Sequence, residues 1–73
     1  MKLTPDERAF IARWLLEFGE EPVSRDQRVA AKDWFASTGY SQHANLWVVT
    51  HLEPGFGWIH PEALTAFKGD DYE

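Results

Sequence analysis

The stretch Leu46-Trp47-Val48-Val49-Thr50-His51-Leu52-Glu53-Pro54-Gly55-Phe56-Gly57-Trp58-Ile59-His60 decides how this chain is read. Two short runs rich in aromatic and β-branched residues flank a Pro-Gly pair, which is how a β-hairpin is written. A turn centred on Pro54 and Gly55 predicts Leu52 opposite Gly57, His51 opposite Trp58, Thr50 opposite Ile59 and Val49 opposite His60. Side chains alternate across a strand. This register therefore groups Trp47, Val49, His51, Phe56, Trp58 and His60 on one face, and Leu46, Val48, Thr50, Leu52 and Ile59 on the other. Both faces are substantially apolar, whereas a hairpin covered by helices on one side needs only one such face. The second face must meet another part of the chain or another molecule.

Upstream of the hairpin the chain reads as two helices. Thr4-Pro5-Asp6-Glu7 combines an N-cap Thr, a Pro at the first helical position and a Glu placed to complete a capping box. The helix it starts runs from about Pro5 to Phe18, with Phe10, Ile11, Trp14, Leu15 and Phe18 recurring at three- and four-residue spacing, and Gly19 stops it. Ser24 with Gln27 forms a second capping box, opening a helix from about Arg25 to Ser37 that Gly39 should end. Ala30, Ala31, Trp34 and Phe35 make its apolar stripe, and Tyr40 to Asn45 links it to the hairpin. Downstream, His60-Pro61-Glu62 starts a short helix through about Lys68, with Gly69 as its stop and Asp70 to Glu73 as an acidic tail. The chain contains no repeat and no linker long enough to divide it, so residues 1–69 form one domain.

Seventy-three residues lie near the lower end of what folds without metal or disulfides, and large side chains must compensate. Four Trp, five Phe and two Tyr do so, each burying roughly 150–250 Å². The absence of Cys excludes disulfides, thiolate zinc sites and thiol catalysis. No apolar run approaches the roughly 20 residues of a membrane span, and the N-terminus lacks an apolar signal core, so a cytoplasmic protein is expected. Twelve acids against seven bases give a net charge of −5, which opposes binding to the nucleic-acid backbone. The acids are scattered and form no rows at phosphate spacing, as a mimic of DNA would require. They read as solubilising charge.

Chemistry-bearing patterns are sparse. His43, His51 and His60 could together hold zinc, but the predicted register leaves His51 and His60 diagonal, about 7–8 Å apart at the backbone, with His43 before the strand. Exposed or core-edge imidazoles are the simpler reading, and no metal or cofactor is expected. There is no Gly-x-Ser-x-Gly elbow, no His-Glu-x-x-His and no Gly-rich phosphate loop. A chain this short also has little volume for a water-excluding pocket, so an enzyme is not expected. Arg25, Arg28 and Lys32 recur at three- and four-residue spacing, so they can line one side of the second helix and reach an acidic surface.

Three resemblances extend this reading. Residues 34–46 resemble the turn and second helix of helix-turn-helix DNA-binding proteins through Gly39-Tyr40-Ser41, although the helix that should follow leaves Asn45 at its buried position and runs into the β-branched strand. The segment Gly57-Trp58-Ile59-His60-Pro61-Glu62-Ala63-Leu64 resembles the last strand and turn of SH3-like barrels, which implies a contact surface at Trp58 and Pro61. In size, acidity, aromatic load and lack of Cys the chain is similar to the small phage proteins that take over host machinery. That likeness is of type and rests on no motif. It implies an inhibitor of RNA polymerase or of a CRISPR complex, acting sterically or by displacing a factor in the host cytoplasm.

The expected fold is α+β, two amphipathic helices packed on a β-hairpin and closed by a short C-terminal helix. The expected function is a non-catalytic protein-binding module that regulates or inhibits a larger assembly through Trp47, His51, Phe56, Trp58 and His60 together with Arg25, Arg28 and Lys32. A winged-helix-like DNA-binding regulator is the alternative. A homodimer through the aromatic hairpin face is the third reading.

Overall fold

The computed structural model describes residues 2–51, 53 and 55–70. The fold is α+β in the expected order. Helices α1 (Pro5–Phe18) and α2 (Arg25–Trp34) precede a π-helical turn, Phe35–Gly39. A single turn α3 (Tyr40–His43) and a 3₁₀ turn, Ala44–Leu46, lead into strands β1 (Trp47–Val49) and β2 (Gly57–Ile59), and α4 (Pro61–Asp70) follows.

Both capping boxes form. Glu7 N–H donates to Thr4 Oγ1 at 3.1 Å while Thr4 N–H donates to Glu7 Oε1 at 2.8 Å. Ser24 and Gln27 repeat the exchange at 3.1 and 3.2 Å. Gly19, with φ 74°, ends α1 as expected. The interior is a chain of rings: Trp14 of α1 lies 4.8 Å from Trp47 and from Phe18, and Phe35 lies 5.1 Å from Trp47. Ile11, Trp14, Ala31, Phe35, Leu46, Phe56 and Ala63 are wholly enclosed. Ala30, expected in the buried stripe of α2, is exposed; Ala31 alone of the two alanines reaches the core. Helix α4 is fastened to the other side of α1 by Arg8 over the Phe67 ring and, at the end of α1, by Lys68 Nζ to Glu20 at 3.2 Å.

Gly39 does not end the second helix. Its backbone is helical (φ −75°, ψ −59°), and Tyr40 N–H donates to the Phe35 carbonyl five residues back, so the helical path continues to His43. The glycine serves packing instead: a Cβ there would stand 3.0–3.2 Å from the Trp47 indole. The Trp34 carbonyl, displaced from regular α-helical pairing, accepts the hydroxyls of Ser37 (3.2 Å) and Thr38 (2.8 Å). Gly39-Tyr40-Ser41 therefore makes no turn between two helices. Gly69 likewise lies inside α4, which continues to Asp70; residues 71–73 of the expected tail fall outside the described residues.

The hairpin exists, but its register differs from expectation by three residues. Trp47 pairs with Ile59, Val48 with Trp58 and Val49 with Gly57. The Pro-Gly segment does close a turn, with Phe56 N–H donating to the Glu53 carbonyl at 3.1 Å and Gly55 at φ 80°. Pro at the second position and a positive-φ Gly at the third make the sequence of a type II turn, whose twist splays the strands that leave it. Pairing resumes only where Thr50 N–H donates to the Phe56 carbonyl at 2.9 Å, and His51, Glu53 and Gly55 lie outside the strands. Leu52 and Pro54 lie outside the described residues. A shift by an odd number of residues reassigns faces. Trp47 and Ile59 now point inward, whereas Val48 and Trp58 point outward.

Candidate basic and aromatic surface

The new register splits the expected aromatic face. Trp47 is 5 % exposed and Phe56 is fully enclosed, so both belong to the core. His51 stands exposed in the loop. His60 is committed to the backbone: its N–H donates to the Leu46 carbonyl at 2.6 Å, and its Nδ1 accepts Glu62 N–H at 3.1 Å, capping the first turn of α4. Trp58 remains, half-buried on the outer side of β2 with exposed Val48 beside it. Its ring meets Phe56 edge-on at 4.8 Å, so the interior fixes its orientation.

Helix α2 supplies the rest of this surface. Arg28 lies with its guanidinium carbon 5.9 Å from the Trp58 ring centroid, and its Nη2 donates to Glu53 Oε2 at 3.2 Å. The aromatic and basic groups that the sequence treats separately thus meet at one point. Arg25 and Lys32, three residues before and four after Arg28, lie along the same side of the helix, and both are exposed. Val29, 56 % exposed, is a further apolar side chain left open on α2. Together the hairpin and α2 present a flat ring with Val48 beside it and three cations along one side of the helix, one of them paired with a loop carboxylate. Such a surface can cover an apolar side chain and bind a carboxylate.

A second feature was invisible in the sequence. Phe10 of α1, Trp34 of α2 and His43 of α3 line a cleft of about 470 Å³ between the first helix and the helical run that follows, with Asp6 and Arg13 among its other lining residues. Phe10 lies 4.2 Å from the His43 ring and 4.8 Å from Trp34. The hydroxyl of Thr38 in this cleft is taken by the Trp34 carbonyl. His43 was expected in a linker, and only the continuation of the helix through Gly39 brings it here. Next to it, Glu7 joins two elements: beyond its cap contacts, its Oε2 accepts Asn45 Nδ2 at 2.8 Å. The Asn45 hydrogen bond, then the Thr4 backbone N–H, hold the Glu7 carboxyl below its ordinary pKa, against a small opposing effect of burial.

Among the described residues, no group of three or more His, Asp or Glu side chains is arranged to hold a metal ion, and no helix is long and apolar enough to cross a membrane. No family model, curated protein or solved structure matches this chain.

Proposed function

We propose that the chain is a non-catalytic protein-binding module whose contact surface is the outer side of the hairpin together with the Arg25, Arg28 and Lys32 side of α2. The observation that carries this reading is Trp58: a large ring held in orientation by Phe56, open on one side and flanked by a guanidinium. Trp and Arg at the centre of a patch are the residue types that dominate interface energies. Fixing the ring within the free chain also removes much of the ordering cost of association. The module would regulate or inhibit a larger assembly by covering a site on it. The phage takeover proteins that the chain resembles in type make RNA polymerase and CRISPR complexes the first candidates.

The test is affinity capture from bacterial lysate with the full chain as bait, read by mass spectrometry, with Trp58→Ala as the matched control. A captured assembly should be lost from the variant, because a central aromatic anchor contributes about 2 kcal/mol or more, while its circular dichroism stays that of the wild type. Capture indifferent to Trp58→Ala would sink this reading. Salt-dependent binding of random duplex DNA, lost on Arg28→Glu, would replace it with the DNA-binding one.

A further inference from the structure

The surface around Trp58 already holds an anion, and that anion is the chain's own Glu53. The Arg28–Glu53 contact joins one nitrogen to one oxygen at 3.2 Å, with the two side chains 44 % and 39 % exposed. A guanidinium can bind a carboxylate through two parallel hydrogen bonds, so this contact uses Arg28 incompletely. Among the described residues, Arg25 and Lys32 take part in no ion pair, although the chain carries twelve acids. Asp26 and Asp33 share the helix but stand roughly 140–160° around its axis from Arg28. Three cations therefore gather on one side of a chain whose net charge is −5, and the carboxylate shown among them comes from a loop.

We propose that this face docks an acidic segment of a partner protein, in which one carboxylate displaces Glu53 from Arg28 while neighbouring apolar side chains cover Trp58 and Val48. The inference rests on the protein-binding reading above and names the chemistry of the partner. Displacement is easy. An exposed ion pair shifts an equilibrium by only about one and a half- to fivefold, and the Glu53 side chain can swing away while Phe56, enclosed in the core, still anchors the loop. Arg25 and Lys32 then neutralise acids on either side of the first. The overall charge of the chain repels an acidic ligand at long range, so a preference for acid must come from this local stripe.

The experiment titrates the isotope-labelled full chain with an acetylated, amidated Glu-rich peptide interspersed with Leu, and with counterparts carrying Gln or Lys in place of Glu. The acidic peptide should shift the resonances of the Trp58 indole, Arg28 and Lys32, and the Gln counterpart should bind about tenfold more weakly, the loss of one hydrogen-bonded charge. Glu53→Gln removes the internal competitor and should tighten the acidic peptide roughly one and a half- to fivefold. Arg28→Gln should abolish the preference without changing the circular dichroism. Equal binding of the three peptides, weaker or unchanged binding to Glu53→Gln, or shifts centred elsewhere would overturn the proposal. The same holds if raising the protein concentration alone moves these resonances, since a second copy would then be the occupant. Trp58-dependent capture from lysate without any acid preference sinks this inference and spares the protein-binding reading, whereas capture indifferent to Trp58 sinks both.

Discussion

Trp47 and Trp58 stand on neighbouring strands of one short hairpin, and their surroundings share little. Trp47 is pressed between Trp14, Phe35 and the bare backbone of Gly39. Trp58 touches the core along one edge and otherwise faces an arginine and solvent. Residue type therefore says nothing about which Trp builds the domain and which is available to a partner; the strand register decides it. The inner side is also closed to change, because two glycines there are sites of close approach. The outer side is held by one cation and one ion pair, contacts that cost little to break.

The largest effect follows directly from that contrast. Truncating a buried Trp costs about 3–5 kcal/mol, and a domain of this size has roughly 3–5 kcal/mol in hand. Trp47→Ala should therefore leave the chain largely unfolded at 25 °C, as seen by circular dichroism and a collapsed urea transition. Trp58→Ala removes an edge-on aromatic pair, the Arg28 contact and a half-buried face, and should lower stability by about 1–3 kcal/mol with a transition still cooperative. Equal losses at the two positions would break the comparison.

The glycines sharpen it at smaller scale. A Cβ on Gly57 would lie 2.7 Å from the Val48 carbonyl oxygen and 3.2 Å from the Phe35 ring, so backbone must move. Gly57→Ala should cost about 1–3 kcal/mol. Gly69 sits in α4 with nothing within 4 Å of an added Cβ, and Gly69→Ala should instead stabilise by up to about 1 kcal/mol. The pair is measured by urea midpoints at constant slope. A neutral Gly57→Ala would mean that the seam between the π turn and the hairpin is looser than described.

These positions also show where the sequence was legible. Local signals read correctly: Thr4 with Glu7 and Ser24 with Gln27 placed both helix starts, because a capping box is written in four consecutive residues. The stop at Gly39 was misread because Gly marks both helix ends and close approaches, and only the position of Trp47, eight residues on, tells them apart. The hairpin was legible and its register was not, since a Pro-Gly turn closes locally without fixing where the ladder resumes. At the candidate surface, Arg28 and Trp58 were each singled out, but their contact depends on the corrected register. Trp47 and Phe56 were lost to the core for the same reason, and His60 to a helix cap.

The two caps are local to their helix starts and should respond alike. Thr4→Ala and Ser24→Ala each remove a side-chain acceptor from an otherwise unpaired N–H, lowering stability by about 0.5–2 kcal/mol with no effect on partner capture beyond that loss. Urea midpoints of the two variants measure this. If either variant abolished capture while remaining folded, the helix N-terminus concerned would join the contact surface.

The smallest expected effect is a dependence on pH, and it concerns how the inner side is tethered. Glu7 reaches Asn45, two residues before Trp47, so its carboxylate ties the start of α1 to the segment that delivers the buried ring. The hydrogen bonds from Asn45 and from Thr4 favour the charged form and lower its pKa from the ordinary value of 4.5. A carboxyl whose pKa is lower in the folded than in the unfolded chain adds stability that is complete above the unfolded value and disappears as pH falls through the folded one. Glu7→Gln keeps the size and an acceptor oxygen but removes the charge. It should be modestly less stable than wild type at neutral pH, by less than either cap substitution because the group is largely solvated. The gap should close as the solution is acidified below 4.5 and Glu7 takes up its proton. Urea titrations of both proteins across that range measure the gap directly. A difference that stayed constant with pH would show that the amide misplaces Asn45 by shape, leaving the charge of Glu7 without a part in holding Trp47 inward.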